Sequence, residues 1–69
     1  MTILSHTFTD STAITSASYD TEEKEMNVTF CSGRNYTYVD VPVETYNNLI
    51  EAKSAGKHFA MIKNQLVLK

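Results

Sequence analysis

The chain has 69 residues, 42% of them hydrophobic and 20% charged, with a formal net charge of −2. That describes one small domain and excludes a multidomain enzyme or a cleft between two domains. The single cysteine, Cys31, excludes an internal disulfide framework and a multi-thiolate zinc site.

Within residues 1–10, Leu4, His6 and Phe8 stand at period two, and an edge strand is expected there. Thr, Tyr and Ile favour a strand over Ala13 to Tyr19, where imperfect alternation suggests a bulge. Asp20-Thr21-Glu22-Glu23-Lys24 reads as a turn that Asp20 opens with an Asx-type bond. Glu25 to Phe30 alternates cleanly, with Met26, Val28 and Phe30 on one face. The turn that follows admits two registers. A two-residue Ser32-Gly33 loop pairs Val28 with Thr37 and sends Tyr36 and Tyr38 to the face opposite Val28 and Phe30. A three-residue Cys31-Ser32-Gly33 loop, with Gly33 left-handed, pairs Val28 with Tyr36 and Met26 with Tyr38. The glycine position and the aliphatic–aromatic pairing favour the three-residue loop.

Asn35 to Asp40 is the next strand, ended by Val41-Pro42 because proline cannot donate to a ladder. Pro42 suits the first turn of a helix, and Glu44 then stands where the helix dipole favours a carboxylate. Val43, Tyr46, Leu49, Ile50 and Lys53 follow helical spacing, with Ala52 beside them, and this stripe is expected to lie on the sheet. Ser54-Ala55-Gly56 reads as a stop, with Gly56 as a left-handed cap. Phe59, Met61 and Ile62 suggest a short second helical turn, and Gln65 to Lys69 a terminal strand. The expected fold is α+β: a small antiparallel β-meander of three or four strands, one main helix packed on it and a short second helix.

Charge is unevenly spread. Residues 1–33 carry Asp10, Asp20, Glu22, Glu23 and Glu25 against Lys24, a net of −4. Residues 34–69 carry Arg34, Lys53, Lys57, Lys63 and Lys69 against Asp40, Glu44 and Glu51, a net of +2. Such asymmetry can steer an anionic ligand to the C-terminal half or bring copies together head to tail. A core this small rarely supplies more than ~3–5 kcal/mol, and self-association is a common remedy. Ile3, Leu4 and Phe8, or Leu66 to Leu68, can extend the sheet into a homo-oligomer. No apolar run approaches the roughly 18–20 residues that span a bilayer. Met1-Thr2-Ile3-Leu4 lacks the marks of a signal peptide, so a cytoplasmic protein without membrane contact is expected.

Ser11, Ile14, Tyr19-Asp20, Phe30, Ser32-Gly33, Tyr36-Thr37-Tyr38, Val41-Pro42, Leu49, Ala52, Ser54, Gly56-Lys57, Phe59 and Ile62 fall in a familiar order. The chain resembles the KTSC domain family, named for its place at the C-terminus of some lysyl-tRNA synthetases and also found alone in small bacterial and phage proteins. The family's hallmark is a central Tyr-x-Tyr, followed by Val-Pro, a helix and a Ser-x-Gly-Lys-aromatic-Phe segment. The resemblance divides the chain into an N-terminal extension (1–10), a KTSC-like domain (11–64) and a C-terminal extension (65–69). His58 departs from the family's usual aromatic, and Ala60 from its asparagine. If that asparagine contacts a ligand in relatives, the contact is lost or altered here. The resemblance implies a nucleic-acid-binding role, by association with the synthetase. A free-standing domain also resembles phage accessory proteins that bind a host factor or a small ligand.

The residues themselves offer few chemical groups. Tyr36 and Tyr38 point the same way on a strand, either as a stacking platform for bases or as cover for the core. Arg34, Lys57, Lys63 and, at the chain's end, Lys69 are candidate anion ligands, and Gly56-Lys57 precedes a short helix whose free N–H groups suit a phosphate. His58 stands between Lys57 and Phe59, where it can bond a ligand or titrate near neutral pH. His6 carries no signal, and Cys31 lacks a base to activate it. There are no paired catalytic carboxylates, no phosphate-binding glycine loop and too few metal ligands. The expected function is a non-catalytic accessory module without cofactor or metal. It binds nucleic acid, RNA among them, or a nucleotide-type anion through Arg34, Tyr36, Tyr38, Lys57, His58 and Lys63. The alternative is a protein-interaction module that inhibits or modulates a host protein.

Overall fold

Two polar turns and one bulge organise the sheet. The computed structural model describes residues 2–9 and 12–69. Its elements are β1 (Ile3–Thr7), β2 (Ile14–Asp20), β3 (Glu25–Phe30), β4 (Asn35–Val39), α1 (Val43–Glu51), α2 (Ala55–Ile62), a 3-10 turn (Lys63–Gln65) and β5 (Val67–Leu68). The strands form one antiparallel sheet in the order β1-β2-β3-β4-β5. In the β2–β3 turn, Asp20 Oδ1 accepts from the amides of Glu22 at 3.0 Å and Glu23 at 3.2 Å, the Asx bond expected. The β3–β4 turn is the three-residue loop, with Gly33 at φ +93°. Val28 accordingly faces Tyr36 and Met26 faces Tyr38.

The bulge lies between Ile14 and Ser16. An extra residue reverses the strand's parity. Even-numbered Ile14 and odd-numbered Ala17 and Tyr19 are therefore all buried together. This is why alternation along β2 looks imperfect. The core joins these residues to Met26, Val28 and Tyr38 of the sheet and to Val41, Tyr46, Leu49, Ala55 and Phe59 beyond it. Leu4 and Phe8 pack against its margin.

Four expectations are corrected. The sheet has five strands rather than three or four, because both ends of the chain pair with it: β1 with β2, and β5 with β4. The second helix, at 8 residues, nearly equals the 9 of the first. Gly56 lies inside α2 and caps nothing, since α1 already ends at extended Ala52. Glycine is needed there for close approach: a Cβ on Gly56 would stand 2.9 Å from the Cβ of Ala13. The apolar stripe is also narrower than its spacing implied. Tyr46 and Leu49 are buried, Val43 remains 42% exposed, and Lys53 falls beyond the helix end. Pro42 stands at the N-cap, just before the first turn, and Glu44 lies within that turn. The boundary drawn between Asp10 and Ser11 lies outside the described residues, as does Met1.

The chain leaves the sheet at Val41, which is fully buried. Its amide donates to the Lys24 carbonyl at 2.9 Å, and its carbonyl accepts from the Tyr19 hydroxyl. The Tyr19 ring stacks on Tyr46 of α1, with centroids 5.5 Å apart. Burial, and then the charge of Asp20, push the Tyr19 hydroxyl above its ordinary pKa. Burial does the same to Tyr46 and, with a smaller contribution from Tyr36, to Tyr38.

Two stability predictions follow from this packing. Gly56→Ala should lower stability by about 1–2 kcal/mol, an overpacking cost partly offset by better helix propensity. Adding Ala13→Gly should restore it, as read from urea midpoints. The tyrosines predict alkaline sensitivity. Unfolded tyrosines ionise near pH ~10 while the folded ones hold their protons to higher pH. Their contribution is therefore complete below that value and lost as pH rises through the folded pKa. Tyr19→Phe should blunt this alkaline loss and cost about 1–2 kcal/mol at neutral pH through the lost bond to Val41.

Candidate ligand-binding groove

Strand directions bring distant parts of the chain to one end of the sheet. β1 runs toward Thr7, β2 begins at Ile14, and β3 turns into β4 beyond Phe30, so the β1–β2 connection and the Cys31-Ser32-Gly33 turn share that end. The close approach of Gly56 to Ala13 holds the start of α2 against the β1–β2 connection. Between them runs an open groove of about 560 Å³, lined by residues that include Thr7, Phe8, Thr12, Lys53, Ser54 and Lys57. The first bond at the start of α2 is from the His58 amide to the Ser54 carbonyl, at 3.0 Å. The Ser54 side chain makes no cap bond, and the amides of Ala55, Gly56 and Lys57 precede that first bond. Among the described residues, Lys53 and Lys57 enter no ion pair. The groove wall thus brings together the first residues of α2, several hydroxyl-bearing residues and two lysines.

The opposite end of the sheet is acidic. Asp20, Glu22 and Glu23 sit at the β2–β3 turn beside Glu25, whose carboxylate pairs with Lys69 at 3.1 Å. The charge asymmetry of the sequence becomes two poles along the strand axis, with Arg34, Lys53 and Lys57 at the groove end.

The six residues expected at a site do not converge. Lys57 lines the groove. Arg34 and Tyr36 line an adjoining shallow depression, which shares Thr12 and Ala13 with it. There Arg34 Nη1 lies 3.4 Å from the Tyr36 hydroxyl, and the Tyr36 ring meets Phe30 edge-on. Tyr38 is 8% exposed and packs on Phe59, so it belongs to the core. His58 is half-buried on α2, one turn before Ile62, and Lys63 is exposed on the 3-10 turn; neither lines the groove or the adjoining depression. Cys31 is exposed at the hairpin, where Thr15 Oγ1 lies 3.4 Å from its sulfur. Sequence reading missed Lys53, Ser54, Thr7 and Thr12. Lys53 matched helical spacing, and only the early end of α1 frees it for the elbow between the helices. The threonines carried no local signal, because their relevance comes from packing against residues more than 40 positions away. Among the described residues, no cluster of His, Cys, Asp or Glu is placed to hold a metal ion. No helix formed by them is long and apolar enough to cross a membrane.

A five-stranded antiparallel sheet carrying two helices defines a small α+β domain, and comparison with known proteins identifies its family. The chain belongs to the KTSC domain family, whose model matches residues 10–65. It is 40% identical over 52 residues to an uncharacterised protein of Stutzerimonas stutzeri, covering 75% of this chain and 73% of that one. It is 38% identical over 48 residues to a protein of Tsukamurella paurometabola, covering 70% and 72% respectively. The crystal structure of a KTSC domain protein from Yersinia pestis superposes with a TM-score of 0.87 at 25% identity, over 99% of this chain and 96% of that one.

The tyrosines of the Tyr-x-Tyr hallmark should therefore separate on mutation. Tyr38→Ala removes a buried ring and should cost about 3–5 kcal/mol, comparable to the whole stability of such a domain. Tyr36→Ala, at the rim, should cost less than half as much in the same denaturation experiment.

Proposed function

We propose that this protein is a non-catalytic binding module that takes a compact phosphate-bearing ligand of nucleotide type in the groove between the β1–β2 connection and α2. The observation that carries this reading is the juxtaposition of the uncapped start of α2 with Lys53 and Lys57, which lack ion-pair partners among the described residues. Helix-start amides and ammonium groups are the usual means of holding phosphate oxygens. Phe8 and His6, whose rings meet edge-on with centroids 4.8 Å apart, supply an aromatic flank for a base. Ala60 also lines the groove, at the position where the family usually has asparagine. A net charge of −2 favours a small ligand or a few nucleotides of single strand over a duplex, whose affinity rests on many phosphate contacts.

Thermal unfolding against a panel of nucleoside mono-, di- and triphosphates and short oligonucleotides tests this. A true ligand at 100 times its Kd should stabilise the fold by about 2.7 kcal/mol. Lys53→Ala and Lys57→Ala should each weaken binding about 10- to 100-fold without lowering stability, as expected for charge-assisted bonds. Arg34→Ala and Lys63→Ala should have smaller effects. No stabilisation by any member of the panel overturns the reading. In that case the apolar surface of Met61 (74% exposed) and of Val67 and Leu68 (each 56% exposed) favours a protein-interaction module. One stoichiometric partner recovered from a bacterial lysate would mark that alternative.

A further inference from the structure

We propose that β1 is a self-complementary edge through which two copies of this chain join their sheets about a two-fold axis at Ser5. β1 is the outermost strand of the sheet. The Phe8 amide donates inward to the Thr15 carbonyl, and the Thr2 carbonyl accepts from the Thr21 amide. Even-numbered residues therefore face β2. Antiparallel alternation turns the amides and carbonyls of Ile3, Ser5 and Thr7 outward. The segment from Thr2 to Phe8 contains no charged residue and no proline, and its pairing with β2 runs without a bulge. The usual devices that blunt a sheet edge are missing.

The parity of the outward groups selects the register. With two copies antiparallel and centred on Ser5, Ser5 faces the partner's Ser5 and Ile3 faces the partner's Thr7. Each is a hydrogen-bonded pair, so every outward group of the three residues is used. Shifting the centre by one residue either way leaves at least one of the three residues outside these pairs. On the polar face of the sheet, the partner's Thr7 covers Ile3, which is otherwise 53% exposed. On the helix-bearing face, Leu4 meets the partner's His6.

Charge complementarity points to a second copy as the occupant. Asp20 pairs with Ile3, so the acidic turn lies at the Ile3 end of β1, while Lys53 and Lys57 lie beside its Thr7 end. Antiparallel docking places each acidic pole next to the other copy's basic pole. With strands about 4.8 Å apart, Asp20 sits two strands, or about 10 Å, from the partner's Thr7. That is close to one Debye length, enough to orient association without neutralising the groove. The opposite edge, the two-residue β5, offers fewer groups for such pairing.

Sedimentation equilibrium of the full chain without added ligand, from micromolar to millimolar and at low and high salt, tests the proposal independently of any nucleotide binding. The expected result is a monomer–dimer equilibrium whose dissociation constant rises several-fold with salt. Ser5→Pro deletes only an outward amide and should give a folded monomer with an unchanged circular dichroism spectrum. Ser5→Lys sets two ammonium groups against each other at the axis and should weaken association about fivefold. If Ser5→Pro fails to fold, Ser5→Lys decides. A wild-type chain that stays monomeric throughout overturns the proposal, as does a dimer whose dissociation constant neither folded variant changes.

Discussion

The hydrogen bond from Tyr19 to the carbonyl of Val41 anchors the place where the chain turns from sheet to helix. Val41 is wholly buried, and a buried main-chain group without a partner is costly. Tyr19 satisfies its carbonyl and Lys24 its amide, so two separate parts of the chain close on one residue. Lys24 and Asp40 both adopt left-handed backbone, at φ 55°, on either side of this closure. With Val41 held, α1 begins above Tyr19, and Tyr46 stacks on the ring that made the bond. The elbow at Ala52 then returns α2 toward Phe30 and Tyr38, where Phe59 closes the core with ring contacts of 5.5 and 5.6 Å.

This arrangement explains what the family's aromatic hallmark does in this chain. Tyr36 and Tyr38 share a face of β4, yet their environments differ. Tyr38 is covered by Phe59, while Tyr36 lies at the rim beside Phe30 and Arg34. The pair links packing to surface chemistry rather than offering a two-ring platform. The polar side of the sheet is organised separately. Asn27 and Asn35 exchange amide bonds of 2.7 Å in both directions, and each also donates to a threonine at 2.8 Å. Such a closed network steadies the β3–β4 register from the solvent side. The proposed ligand groove lies apart from it, at the loops at the end of the strands, where a rigid sheet can position side chains for binding.

Much of the fold was legible because its determinants are local. Asp20 announces its turn through its own side chain, and Gly33 supplies the left-handed residue that a three-residue hairpin requires. Met26, Val28 and Phe30 declare their face by alternation. The failures were equally specific. Gly56 looked like a helix cap because glycine commonly serves that role, but its use is a contact with Ala13, 43 positions earlier. The terminal strands were only weakly marked, since β1 and β5 depend on neighbours already in place. Of the six expected site residues, Lys57 is the one that lines the groove. The spacing of Lys53 concealed it, and the buried setting of Tyr38 arises from Phe59, which no local pattern links to it.

The sequence by itself determined the α+β class, the register of the central hairpin, the family and the presence of an acidic and a basic half. The class, the register and the charge halves follow from periodicity, turn chemistry and composition, which act over a few residues or simply add along the chain, and the family follows from the order of its motifs. Tertiary structure decided which lysines stand together, which tyrosine is buried and which strand edge remains open. Those properties depend on where α2 comes to rest against the β1–β2 connection. That position is set by the joint packing of Ala13, Gly56 and the aromatic core, and it does not exist until the distant segments meet.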